Sequence, residues 1–306
     1  MRLGVNIAAG GPISDFETIV QRVIDAERDG FDSVWFNSGA AGEPLTAIAV
    51  AGRETSRIRL MTAIAVTYTR HPYLMAQQAL TANAACRGRL ILGVGPSHRA
   101  SMERLGVSYE GAAANVREYV TVLRGLMRGD AQQFQGRFYR VEGQLQLPWA
   151  APCPVVIAAL APRMLRTAGE LADGTVTWMV GRRTLETHIR PRLLEAAAAG
   201  GRPQPEIYVG LPVAVTDDAK AARERANQSF ANYADLPVYK RMLDIEGTDP
   251  GGILVCGNEA EVEAQLRSFA AAGASEIGVT PFPVGDNPAA SVARTRELLK
   301  GLVGKL

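Results

Sequence analysis

Apolar residues along this chain recur at two alternating periods. Leu3 to Ala8 is a short apolar run that predicts a buried strand, ending in a turn at Gly10-Gly11-Pro12. Ser14-x-x-Glu17 has the form of a capping box, and Phe16, Ile19, Val20, Val23 and Ile24 follow at helical spacing up to Gly30. Ser33-Val34-Trp35-Phe36 predicts a second strand, 45–55 a helix, Ile58 to Val66 a third strand, and Pro72 to Ala85 a helix with proline in its first turn. Further strands are predicted at Arg89–Val94, Val155–Ala158, Thr175–Val180, Ile207–Val215 and Glu276–Thr280. Helices are predicted at 112–128, 163–172 and 184–199, from 217, after the Asn258-x-x-Glu261 cap, and from Asn287-Pro288.

The eight strands are apolar on both faces and each is followed by helix, which predicts a parallel sheet. Eight such units in about 300 residues fit a closed α/β (β/α)8 TIM barrel better than an open doubly wound sheet. The whole of 1–306 is therefore expected to form one barrel domain. Two stretches break the repeat. Residues 132–147 predict an inserted β-hairpin, and 232–257 an inserted helix and loop before the last unit. In a barrel, insertions at the C-terminal ends of strands enclose substrates.

Lys+Arg 33 against Asp+Glu 31 is too balanced for a general nucleic-acid binder. No apolar run approaches the ~20 residues that span a bilayer, and the first one is too short for a secretory signal. Cys86, Cys153 and Cys256 have no paired spacing and read as reduced core thiols. A cytoplasmic protein is expected, with a small molecule as its substrate and neither nucleic acid nor membrane as a partner.

A barrel works at the C-terminal ends of its strands. The candidate positions are Asn37-Ser38, Ala65 to His71, Gly95 to His98, Ala159 to Arg163, Met179 to Arg183, Pro212 to Thr216 and Thr280-Pro281. They carry no cluster with metal spacing, no nucleophile elbow and no Walker loop. Gly93-Val94-Gly95 begins a dinucleotide fingerprint, but position 98 is His rather than the third glycine. So few ionisable groups favour a bound cofactor that brings its own reactivity. Trp35, Ile64, Val66, Tyr68, Trp178 and Met179 offer an apolar rim for a flat ring system, and Arg163, Arg182 and Arg183 can hold an anionic tail.

Three stretches carry a resemblance: Thr62 to Pro72 (TAIAVTYTRHP) with Ala76-Gln77-Gln78-Ala79, Gly88 to Gly95 (GRLILGVG), and Pro154 to Ala159 with Ala168 to Gly174. With Val255-Cys256-Gly257-Asn258 they make the chain similar, in order and over nearly its whole length, to the luciferase-like flavin and deazaflavin oxidoreductases. The form of the motifs resembles the coenzyme F420-dependent branch. The resemblance implies a non-prolyl cis peptide at Ala63–Ile64, bulging against the back of the deazaflavin ring. It implies cofactor contacts from Gly95, Pro96, Ser97 and His98, from Ala159, Leu160 and Ala161, and from Trp178, Met179, Gly181 and Arg182. Leu160 and Ala161 stand where relatives commonly carry glycines, which opposes close backbone approach to a phosphate.

Relatives that oxidise alcohols or sugar phosphates carry an acid–histidine pair after strand two. Asn37-Ser38 stands there in this chain and cannot act as a base near neutral pH. Asn37 can still hydrogen-bond a ring carbonyl or a substrate. His98 occupies the place of a catalytic carboxylate and is the expected proton donor, with Tyr68 a weaker candidate and His71 structural. The expectation is hydride transfer from reduced F420 to an activated C=C or C=N bond. An FMN-dependent monooxygenase of the same fold and a non-catalytic cofactor-binding barrel are the alternatives. The resemblance also implies a homodimer paired through outer helices.

Overall fold

The computed structural model describes residues 1–9, 13–38 and 42–306, so the turn expected at Gly10-Gly11-Pro12 lies outside the described residues. Eight strands form the core: β1 (Arg2–Asn6), β2 (Ser33–Phe36), β3 (Arg59–Thr62, resuming at Ala65–Val66), β4 (Leu90–Gly95), β5 (Val155–Ala158), β6 (Gly174–Trp178), β7 (Glu206–Val215) and β8 (Glu276–Pro281). Each pairs in parallel with the next. The ring shuts where Leu3 lies opposite Ile277, which makes the fold a closed (β/α)8 barrel.

Local chemistry sets the surrounding helices. Proline occupies the first turn of Pro44–Ala51, Pro72–Ala85, Pro162–Leu171 and Pro288–Leu302, where its missing N–H costs nothing. Asn258 and Glu261 form the expected reciprocal cap. The first helix, Phe16–Arg28, is capped by Asp15 rather than Ser14: Asp15 is extended and its Oδ1 accepts from Thr18 N at 2.8 Å. The helix expected over 184–199 contains a π turn at Leu185–Ile189, immediately ahead of Pro191, which has no N–H to continue the regular ladder. A short helix, Arg99–Arg104, was not foreseen. All three cysteines are buried and free.

Two additions decorate the barrel. Gln132–Gln135 pairs antiparallel with Arg140–Gly143. After β7, Ala231–Ala234, Pro237–Glu246 and a 3-10 turn at Pro250–Ile253 lead to Val255–Gly257, which pairs with the end of β7.

Within β3 the pairing slips by one residue. Met61 faces Ile91, yet Ala65 faces Val94, so 62–64 stand opposite 92–93 as a bulge. A Cβ on Gly93 would overlap the Thr62 carbonyl, and one on Gly95 would lie 2.9 Å from Ala158 Cβ and 3.3 Å from Ile64 Cδ1. The Gly-x-Gly pair therefore serves clearance around this bulge, not a dinucleotide.

Trp35, expected at the rim, lies instead inside the barrel and is 2% exposed. Its Nε1 donates to Glu276 Oε1 and Ser33 Oγ, each at 2.9 Å, and Gly4 and Gly278 leave the space that its indole fills. The fully buried Glu276 carboxylate also receives Ser33, Arg2 and Arg59. A buried charge survives only when so compensated, and this network closes the N-terminal end of the barrel. Trp35 packs in one cluster with Met61, Ile91, Val156, Val176 and Tyr208, and half-buried Ala63, Ile64 and Ala158 pack against that cluster from the ends of β3 and β5.

Candidate functional site

Three polar atoms at the C-terminal mouth are enclosed without a hydrogen-bond partner among the described residues: Asn37 Oδ1 after β2, Thr67 Oγ1 after β3 and Thr280 Oγ1 on β8. Burying such an atom unpaired costs on the order of 1–3 kcal/mol, so folds rarely retain it without a use. Strands β8, β1, β2 and β3 are consecutive around the ring, which places all three on one side of the mouth.

The Ala63–Ile64 bond between these positions is cis, as the resemblance implied. Ala63 N donates to Phe36 O at 2.7 Å, and Ser38 Oγ donates to Ile64 O at 2.5 Å. The bulge is thus tied to the end of β2, and the Ile64 side chain stays half-buried at the floor.

After β4, Gly95 is buried, Pro96 and Ser97 are half-buried, and Ser97 sits in the left-handed region at φ 61°. A non-glycine residue there is uncommon and points to a constrained loop. Tyr109 supplies the constraint by donating to Ser97 O at 2.9 Å, its ring flanked by Tyr68 and by the Arg99 guanidinium at 5.3 Å. His98 follows as the N-cap of Arg99–Arg104 without using its ring as a cap. Burial holds its pKa below the usual 6.5, so the imidazole is mostly neutral at pH 7.

Two other expected roles are answered by geometry. Tyr68 donates its hydroxyl to Glu110 O at 2.6 Å, and burial pushes the phenol up to about 12, so it stays protonated with its proton engaged by the Glu110 carbonyl. His71 caps Pro72–Ala85 by accepting from Tyr73 N at 3.2 Å, a structural role.

After β5, Ala159 and Leu160 are buried, and the Leu160 carbonyl is held by buried His188 at 2.8 Å. Ala161 caps Pro162–Leu171 without a side-chain bond. After β6, Trp178 is half-buried, Met179 is buried with φ 54°, and Gly181 opens the next helix. Arg182 is exposed and pairs with Glu186 at 3.0 Å. Sequence reading missed Glu246, the last residue of the inserted helix. Its carboxylate accepts from Arg183 N at 3.1 Å and Thr184 N at 2.7 Å, and a Cβ on Gly181 would overlap it. The helix start after β6 is therefore already capped, whereas the one after β5 is not.

The insertion also delivers aromatic rings that sequence reading did not assign. Trp178 meets Phe230 edge-on at 6.2 Å, and Phe230 meets Tyr233 at 6.2 Å and Phe282 at 5.4 Å. Tyr233 meets Tyr239 at 4.7 Å, and Tyr239 meets His98 at 5.8 Å. This chain of rings runs from β6 to the β4 loop. The only signal for it was a run of aromatics at irregular spacing before Gly247.

A family model for luciferase-like monooxygenases matches residues 1–276. The chain belongs to that family. An uncharacterised protein of Mycobacterium tuberculosis is 33% identical over 237 residues, covering 72% of this chain and 69% of that protein. The 5,10-methylenetetrahydromethanopterin reductase of Methanolobus tindarius is 25% identical over 295 residues, covering 86% and 89%. Among solved structures, an F420-dependent secondary alcohol dehydrogenase in complex with an F420-acetone adduct superposes with a TM-score of 0.79 at 18% identity, covering 97% of each chain. That likeness speaks for the barrel. The family makes this protein an oxidoreductase by membership, and no helix among the described residues is long and apolar enough to cross a membrane.

Proposed function

We propose that this luciferase-like protein binds coenzyme F420 and catalyses hydride transfer from the reduced deazaflavin to an activated C=C or C=N bond of a small organic molecule. The observation that carries the reading is the set of partnerless Asn37, Thr67 and Thr280 oxygens beside the Ala63–Ile64 bulge. A planar heterocycle with ring N–H and carbonyl groups fits such a cradle: Ile64 gives an apolar floor and Asn37 gives an amide for its edge. A relative named as an F420-dependent glucose-6-phosphate dehydrogenase, from Nakamurella multipartita and 29% identical over 228 residues, favours the deazaflavin over FMN.

In this reading Gly95–His98 and Trp178–Gly181 flank the ring, and Ala159–Ala161 lead to the uncapped helix after β5, where N–H groups suit a phosphate. Exposed Arg163 on that helix adds positive charge for an acidic tail, and Arg182 lies further out with Glu186. F420, when bound and reduced, supplies the hydride. The protein's share is to orient the acceptor, exclude water and deliver a proton from a ring nitrogen of His98. Depression of the His98 pKa leaves little imidazolium at pH 7, so proton delivery becomes easier toward acid. Asn37-Ser38 offers no base, which disfavours alcohol oxidation by the acid–histidine route.

Equilibrium titration of the purified protein with F420, FMN and NADPH tests the reading. Saturable binding of F420 with none of FMN is expected. A spectral change with FMN and none with F420 would overturn it in favour of the monooxygenase chemistry of the same family.

A further inference from the structure

We infer that the aromatic chain on the insertion selects a flat, uncharged, ring-containing substrate with a conjugated carbonyl, and that Tyr239 is its specificity-determining residue. The inference rests on the reading above and concerns only the second molecule at the mouth. Three observations carry it. First, Trp178, Phe230, Tyr233 and Tyr239 are each half-buried and each touches another ring, so each keeps some aromatic surface uncovered beside the β4 and β6 strand ends. Rings at offset or edge-on geometry favour a further planar partner over a branched aliphatic one.

Second, most charges on the same helix are engaged with one another or with the neighbouring helix, and Arg241 is exposed. Lys240 pairs with Asp244 at 3.1 Å, and Glu246 caps the 183–184 amides. The contacts shown for these rings are with one another and with the His98 imidazole. A charged guest would lose its hydration without repayment.

Third, Tyr239 faces His98 at 5.8 Å, and its hydroxyl has no hydrogen-bond partner among the described residues. Burial and the neighbouring Tyr233 push the phenol pKa up, so it remains a neutral donor across the working range. A donor beside His98 suits a carbonyl oxygen conjugated to the bond being reduced. An analogue without that carbonyl leaves the donor unpaired.

Calorimetric titration of the full chain loaded with F420 tests this with three two-ring probes of similar shape: chromone, chromone-2-carboxylate and N-methylquinolinium. Chromone is expected to bind about tenfold or more tightly than either charged probe. Tyr239→Phe should weaken chromone about three- to tenfold, and Phe230→Ala about tenfold, while F420 affinity, read from its own absorbance, stays within about twofold. Equal binding of the three probes, or a Tyr239→Phe protein that binds chromone as tightly as the wild type, overturns the inference. If wild-type protein binds F420 but shows no preference for chromone, the substrate inference alone fails. If it does not bind F420, the cofactor reading itself fails.

Discussion

The partnerless amide oxygen of Asn37 sets stability against function at one residue, and Asn37→Leu separates the two. Leucine shares the branching of asparagine at Cγ and is the larger of the two, so the change removes a buried acceptor without opening a cavity. Relief of an unsatisfied polar atom is worth about 1–3 kcal/mol, and the branched side chain must settle among the ends of β2 and β3, which takes some of that back. A net gain of about 1–2 kcal/mol is expected for the cofactor-free protein. Unfolding entropy of about 2.1 cal/mol/K per residue converts that to a rise in Tm of about 2–3 °C in a chain of 306 residues. Loss of the hydrogen bond to the ring should weaken F420 about tenfold, and with it the rise in Tm that F420 gives the wild type. Thermal unfolding with and without F420 reads both quantities at once. A variant that is destabilised on its own, yet keeps the full F420-induced shift, would show that the Asn37 oxygen serves the fold and would remove it from the cofactor site.

Four further outcomes follow from the geometry. His98 has a depressed pKa, so the imidazolium fraction rises only below pH 6.5; turnover should climb toward acid with an inflection under that value, and His98→Gln should flatten the profile at unchanged F420 affinity. The same depression means that the folded state loses stability as pH falls through the His98 and buried His188 pKa values, which acid unfolding curves will show. Glu246→Ala removes the acceptor of two helix-start N–H groups and should cost about 1 kcal/mol, seen as faster hydrogen exchange over 231–246 with the barrel strands unchanged. Glu276→Ala removes the acceptor of the buried Ser33 hydroxyl and leaves Trp35 Nε1 with Ser33 Oγ alone; because Arg2 and Arg59 are about a third exposed and can hydrate, the cost should be about 2–3 kcal/mol in chemical denaturation, below the full penalty for a buried pair.

Most strands and helices were legible because each is written in local terms: period, caps, and prolines at helix starts. Ser33–Phe36 and Val155–Ala158 fall on their predicted bounds, since short, largely apolar runs between polar turns leave little freedom in where the strand starts and stops. The misses have physical causes that no window of sequence contains. Trp35 reads as rim because a tryptophan near a strand end suits a mouth; its inward position depends on Glu276, more than two hundred residues away, and on glycines of neighbouring strands that clear its ring. Asp15 outcompetes Ser14 as a cap because its carboxylate reaches Thr18 N from extended backbone.

The site divides along the same line. Its backbone features are local and were anticipated through the resemblance: the cis bond at Ala63–Ile64 coincides with a one-residue slip that Gly93 and Gly95 make room for. Its side-chain environment is not local. Whether His98 is charged depends on how far the β4 loop and Tyr239 bury it, and Tyr239 arrives on a helix whose place is fixed by Glu246 gripping the 183–184 amides. A single carboxylate on the insertion therefore links the helix after β6 to the imidazole after β4. Cutting that link with Glu246→Ala should raise the His98 pKa toward 6.5 by letting water in, and the pH profile of turnover should move with it toward neutral pH. A profile that stays where it was would mean that the β4 loop alone, pinned by Tyr109 at Ser97 O, sets the environment of His98.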